Sequence, residues 1–418
     1  MFTFLHAADL HLDTPVTGVA GVDMPRPALE VLRDASLRAW DGLVDAAVAH
    51  RVDFVLLAGG IYDGPERGLR AQLRFHDGLS RLDAAGIRTF IVGGSSDSPP
   101  QGWTAIDGWP ESVHVFGSTQ QAEAVMFEVG GSTVTVHGLS HAARELDGDP
   151  AEAFPAKVTR GFHIGLLNTP LDHDGPASAE RLGSRAMHYW ALGGRAQMEV
   201  HGRDPWLVHP GTTQAREPSR AHGGAKGAVL VTVEGTKVAE PVPVHVDVVR
   251  FTEAMVDLAE VATVTELIDR IREAGDPGEH DGRSVVMRAV VRGAGPVHDD
   301  LVDDGARASV AAALHSGAGV APFSWVDRVT WRTRPSIDLD ELRQGTDFLS
   351  DLLATAEAAP TRDGSSREVT ALSDWRRDLP KLPGDVARML TSPADPADPA
   401  IADLALDLAL NEFVGEQA

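Results

Sequence analysis

Residues Met1–Asp13 read MFTFLHAADLHLD, an apolar run of strand length that stops on Asp9, His11 and Asp13. A run apolar on both faces suits a central strand of a covered sheet, because successive side chains point to opposite sides. By the same alternation Asp9 and His11, two residues apart, emerge on one side where the strand ends. A hard oxygen beside a borderline nitrogen suits a first-row divalent ion such as manganese, iron or zinc. The pair is a candidate metal site, and the chain repeats this strand-then-polar-loop ending further on.

An amphipathic helix is expected over Ala28–His50, followed by the apolar strand VDFVLLA (Val52–Ala58), which ends in Gly59-Gly60-Ile61-Tyr62-Asp63. A second helix, Pro65–Ala85, leads to the strand Ile87–Val92, which ends in Gly93-Gly94-Ser95-Ser96-Asp97. Apolar strands joined by helices predict a layered α/β sheet, with sites at the carboxyl ends of its strands. From Val113 the pattern turns to strands with tight turns, including a hairpin at Gly130-Gly131 and strands ending at Asn168, at Gly193-Gly194-Arg195-Ala196 and at Pro210-Gly211-Thr212. Two packed sheets with helices outside, a four-layer α/β sandwich, are expected over residues 1–245. A small α+β domain is expected over 246–336 and an acidic helical tail over 337–418.

The order of these loops resembles the calcineurin-like metallophosphoesterases, and within them the SbcD-type DNA repair exonucleases, especially the YhaO-like branch. The stretches HAADLHLDTP, LRAQLRFHDGL, WALGG and VHPGTTQ carry the closer likeness, which covers roughly residues 1–335. The resemblance implies five loops reading D-x-H, G-D-x-x-D, G-N-H-D, a lone His and G-H-x-H. Only the first is whole here, as Asp9 and His11. Gly60 stands where the family has the carboxylate that bridges two metals, although Asp63 remains. Ser95 and Ser96 replace the asparagine ligand and the catalytic histidine, Asn168 replaces the lone histidine, and Gly194 and Ala196 replace the last two. Asp97 is kept.

Two-metal hydrolysis needs cations about 3.5–4 Å apart, and a glycine supplies neither the charge nor the spacing of a bridging carboxylate. The expectation is a degenerate site holding no metal or one weakly bound ion, manganese, on Asp9 and His11, with Asp63 and Asn168 as further candidates. No catalytic residue is assigned. Restoring the six lost groups together is expected to recover metal binding only if the backbone keeps the family geometry.

Arg67, Arg70, Arg74 and Arg81 fall at helical offsets on one face, suited to DNA beside the old site or to acidic groups across a homodimer interface. Leu69, Leu73, Leu79 and Leu82 are expected to face the body. With 418 residues, no cysteine, and a formal charge of −24, the composition excludes thiolate chemistry and disfavours indiscriminate adhesion to nucleic acid. No apolar run approaches the roughly 18 residues that span a bilayer, and no basic leader region opens the chain, so a cytoplasmic protein without membrane partners is expected. From Asp338 onward there are 17 acidic and 7 basic residues, ending in a short helix with apolar faces that needs a docking surface. The family resemblance implies that such a helix binds an SMC-like ATPase of the SbcC or YhaN type. Three functions are therefore weighed: a silent scaffold beside that ATPase, an active manganese-dependent exonuclease, and a DNA- or nucleotide-binding module.

Overall fold

The strand at the amino terminus, β1 (Phe2–Ala7), sits inside the first sheet and is buried on both sides. Phe2 and Phe4 point into the space between two sheets, while Leu5 and Ala7 point to the helices outside. The computed structural model describes residues 1–19, 24–63, 68–97, 108–141, 148–171, 177–219, 222–315, 321–334 and 344. The expected acidic tail and Arg67 lie outside the described residues.

After β1 come α1 (Arg26–Arg33), α2 (Ala35–His50), β2 (Phe54–Ala58), α3 (Leu69–Ala84), β3 (Arg88–Val92) and β4 (Val113–Val115). Then follow β5 (Glu123–Val129), β6 (Ser132–Leu139), β7 (Phe162–Asn168), α4 (Ala179–Gly183), β8 (Tyr189–Gly193), β9 (Glu199–Arg203) and β10 (Trp206–His209). The series continues with β11 (Gly227–Glu234), β12 (Lys237–Val238), β13 (Val242–His245), β14 (Val249–Asp257) and α5 (Val264–Ala274). It ends with β15 (Ser284–Ala294), α6 (Asp304–His315) and β16 (Ser324–Arg334).

The first sheet has the order β12-β11-β1-β2-β3-β4, with β13 also on β11; the second has the order β5-β6-β7-β8-β10-β9. β1 through β4 run parallel, as do β6, β7, β8 and β10. Their inner faces meet in one core, where Phe4 stacks on Phe54 at 4.9 Å and meets Tyr189 edge-on at 5.2 Å. α2 and α3 cover the outer face of the first sheet through Trp40, Leu43, Phe75 and Leu79. Phe154, Leu182 on α4 and Met187 cover the second sheet around Trp190. This is the expected four-layer sandwich.

The helix expected over Ala28–His50 is broken at Asp34, whose φ of −101° and ψ of 5° end α1 before α2 begins. The bent residue is fixed by a distant partner, because Arg70 donates from both terminal nitrogens to the two Asp34 oxygens at 2.7 and 2.8 Å. The face of α3 also differs from expectation. Leu79 and Leu82 are buried, but Leu69 and Leu73 are 61% and 55% exposed. The buried stripe is Ala71, Phe75, Leu79 and Leu82, at spacings of four, four and three. Leu69 and Leu73 each precede a stripe residue by two positions, which is about 200° round a helix.

A single 3-10 turn, Asp299–Leu301, precedes α6. The chain forms two compact units: Met1–Ala254 with Arg272–Arg288 and Leu314–Arg328, and Met255–Ile271 with Ala289–Ala313 and the described residues from Val329. β14, β15 and β16 make a three-stranded sheet in that order. Within the second unit α5 buries Leu267 and Ile271, and α6 buries Val310. Among the described residues no helix is long and apolar enough to cross a membrane.

Candidate functional site

Parallel strands place the loops after β1, β2, β3, β7 and β8 at one edge of the first unit. The loops after β1 and β2 are zipped together by backbone bonds from Asp9, His11 and Leu12 N–H to the carbonyls of Gly59, Gly60 and Ile61, at 2.8 to 2.9 Å. The two sheets are tied at the same edge, where Ala8 bridges Thr212 and the Thr212 hydroxyl donates to the Asp9 carbonyl at 2.6 Å. Asp9 and His11 both have positive φ, 53° and 49°, a conformation uncommon for residues with side chains. These ties hold it in place.

The loops enclose a cavity of about 310 Å³ lined by Asp9, His11, Gly60, Asp63, Ser95, Ser96, Asn168, Gly194, Arg195, Ala196, Arg216 and His222, among others. Asp9, His11, Asp63 and Asn168, the four candidate ligands, are all brought there. The oxygens of Asp9 and Asp63, however, are turned to protein donors. Asp9 Oδ2 accepts from the Gly194 N–H at 2.7 Å, and Oδ1 from the Asn168 amide at 3.4 Å, which also donates to the Ala58 carbonyl at 2.7 Å. Burial pushes the Asp9 carboxyl up to about 6, against the pull of His11 and of these donors.

Asp63 makes a second cluster. His11 Nδ1 lies 2.6 Å from its Oδ1, the Thr14 hydroxyl donates to Oδ2 at 2.7 Å, and the Arg216 guanidinium donates to the same oxygen. Burial alone would raise this carboxyl, but the hydrogen bonds from His11 and Thr14 and the charges of His11 and Arg216 outweigh it and hold it at about 2. An ionised carboxylate only accepts, so His11 Nδ1 carries the hydrogen of that contact.

Asp97, fully buried, does backbone work. Its oxygens accept from the Gly94 and Ile61 N–H groups at 2.6 Å each and from Gly60 N–H at 3.3 Å. Ser96 donates to the Tyr62 carbonyl at 3.0 Å.

These residues do not fit a metal pair. Gly60 has φ of +68°, and a Cβ built on it would lie 2.4 Å from Asp9 Oδ1 and 2.8 Å from Asp9 Cα. The second atom is backbone, so a bridging carboxylate needs the whole loop to move. Gly194, at φ +94°, is likewise unsuited to the histidine of the family pattern. Among the described residues no three His, Asp or Glu side chains converge as a ligand set. At Gly60 and Gly194, two of the six positions of the restoration, the backbone as it stands opposes a larger side chain. Gly60→Asp alone is expected to cost about 1–3 kcal/mol of stability through strain and overpacking and to add no metal-dependent turnover. Thermal unfolding and a manganese-dependent phosphodiesterase assay check both parts; a stable variant that hydrolyses would refute them.

Of the arginine stripe, Arg70, Arg74 and Arg81 find acidic partners in their own chain. Arg70 pairs with Asp34, Arg74 with Asp41 and Arg81 with Asp45, a ladder joining α3 to α2 and its leading residue. The sequence reading sought those partners in DNA or a second subunit. It also missed Arg216, Thr14 and His222, which carry no motif. The buried histidines serve structure: His6 meets the Tyr189 hydroxyl at 3.0 Å, and His209 meets the Thr169 carbonyl at 2.9 Å.

Aspartate and histidine loops at the carboxyl edge of two packed, largely parallel sheets define the metallophosphoesterase class. The comparisons sharpen this. The family model "Metallophosphoesterase YhaO, middle domain" matches residues 251–334. Over 301 residues, 70% of the chain and 72% of the relative, the sequence is 33% identical to the uncharacterized metallophosphoesterase YhaO of Bacillus subtilis (strain 168). A shorter match of 95 residues, 23% of the chain and 21% of the relative, is 33% identical to the DNA double-strand break repair protein Mre11 of Aeropyrum pernix. Among solved structures, a dimetal phosphatase from Danio rerio aligns with TM-score 0.36 and 13% identity, covering 57% of this chain and 98% of that one. The chain belongs to the YhaO family of the metallophosphoesterase superfamily.

Proposed function

We propose that this chain is a metallophosphoesterase-fold subunit that has kept the family's cleft and given up two-ion hydrolysis, acting in cytoplasmic DNA repair or maintenance beside an SMC-like ATPase. One observation carries the loss of chemistry. The position of the bridging carboxylate is a glycine in left-handed conformation, packed so closely on Asp9 that a side chain has no room. The role in DNA maintenance is supported by the likeness to a protein named for double-strand break repair. The ATPase partner is drawn from the SbcD-like character of the sequence.

A second reading is that the cleft binds a phosphodiester or nucleotide without cleaving it. It is favoured by Arg195, Arg216 and His222 in the lining of the cavity, since guanidinium groups suit phosphate oxygens. Both readings make the same catalytic prediction. Pure protein with manganese and linear duplex DNA is expected to show no degradation above that of the Asp9→Ala control. General acid–base assistance is worth roughly 10²–10⁴-fold, and Ser96 stands where the family keeps its histidine. Robust cleavage abolished by Asp9→Ala would overturn this and restore the active exonuclease.

A further inference from the structure

We infer that the Arg216 guanidinium is a built-in counter-ion that holds the Asp63 carboxylate and keeps it from serving as a ligand to a metal ion. The inference rests on the non-hydrolytic reading above. Asp63 closes the loop after β2, inside the cavity, with its oxygens taken by His11, Thr14 and Arg216. Arg216 is itself fixed in place. Its carbonyl accepts from Thr17 N–H at 2.7 Å. Two residues earlier, the Gln214 side chain holds Val248 N–H and the Val249 carbonyl at 2.8 Å each. Among the described residues the Arg216 guanidinium donates to Asp63, while its buried Nε meets no acceptor.

The pair lies in the cavity at 22% and 31% exposure, unlike the ladder between α2 and α3, whose arginines are 42% to 64% exposed. A guanidinium neutralises a carboxylate with permanent charge and planar donors. It brings one charge instead of two and no bound water, so the loop keeps its electrostatic balance without Lewis-acid chemistry. Asp9 is treated alike, its oxygens met by the N–H groups of Gly194 and Asn168.

The test is manganese(II) binding to the full chain, read from the electron paramagnetic resonance signal of the free ion and from the shift in melting temperature. Wild type and Arg216→Lys are expected to leave the free-ion signal unchanged. Arg216→Met should bind the ion at least roughly tenfold more tightly than wild type, because a fixed positive charge has left the site. Asp63→Asn in that background should abolish the gain. A folded Arg216→Met that binds no better than wild type overturns the inference. So does an Arg216→Lys that gains as much as Arg216→Met, since Arg216 would then be only a tether. If Arg216→Met does not fold, Arg216→Gln, which keeps an N–H donor but no charge, is read by the same criteria. Metal-dependent hydrolysis by wild type would sink the functional reading, whereas a metal-free wild type with a metal-free Arg216→Met sinks this inference alone.

Discussion

Asp97→Ala is expected to lower the unfolding free energy by about 3–5 kcal/mol, because it strands three buried backbone donors that now share one carboxylate. Gly60, Ile61 and Gly94 N–H all point at Asp97, which is fully buried. The carboxylate thereby fastens the loop after β2 to the loop after β3. Urea unfolding should show a reduced midpoint with an unchanged slope, and amide exchange at Gly60 and Ile61 should quicken. Asp97→Asn keeps the shape and one acceptor oxygen, so it should lose less. A loss below about 1 kcal/mol for the alanine variant would mean that water reaches these amides and that the loops are not held as described.

The second large effect is acid lability. Burial lowers His6 to about 3, and lowers His137 and His209 to about 4. A neighbouring histidine adds to each shift. The folded protein therefore keeps them neutral where the unfolded chain, with imidazoles near 6.5, takes up protons. Their stabilisation is complete above about pH 6.5 and is lost as pH falls toward 4. Asp9 works in the opposite sense. Raised to about 6, it retains a proton that the unfolded chain has released, so it favours the folded state as pH falls from 6 toward 4. Three histidines against one carboxyl leave a net loss, roughly 3–6 kcal/mol between pH 7 and pH 4.5. Urea titrations at the two pH values measure it directly. A flat profile would mean that these histidines are hydrated in the native state.

The fold was legible because its information is local. Apolar strands, amphipathic helices and glycine-rich loops each announce themselves within ten residues, and their alternation leaves few arrangements. The break at Asp34 was not legible, since its partner Arg70 lies 36 residues away. The face of α3 misled because leucines were counted while Phe75 and Ala71, which set the stripe, were not. At the site, the family resemblance named the ligand positions that hold other residues here, but not which donors surround Asp9 and Asp63. Arg216 reaches Asp63 across 153 residues, and the Asn168 amide meets Asp9 across 159. A lone arginine or asparagine carries no periodic or spacing signal. Gly60 looked like a simple loss of a ligand; its left-handed backbone against Asp9 makes it a barrier to regaining one.

The most direct test of the central claim, that protein donors have replaced the metal pair, is a crystal structure of wild-type protein grown or soaked in millimolar manganese. The expected map keeps Asp9 on the Gly194 N–H and Asp63 on Arg216, with no pair of ions between them. Two metal peaks about 3.5–4 Å apart, with Asp9 turned from Gly194 and Arg216 displaced from Asp63, would contradict it.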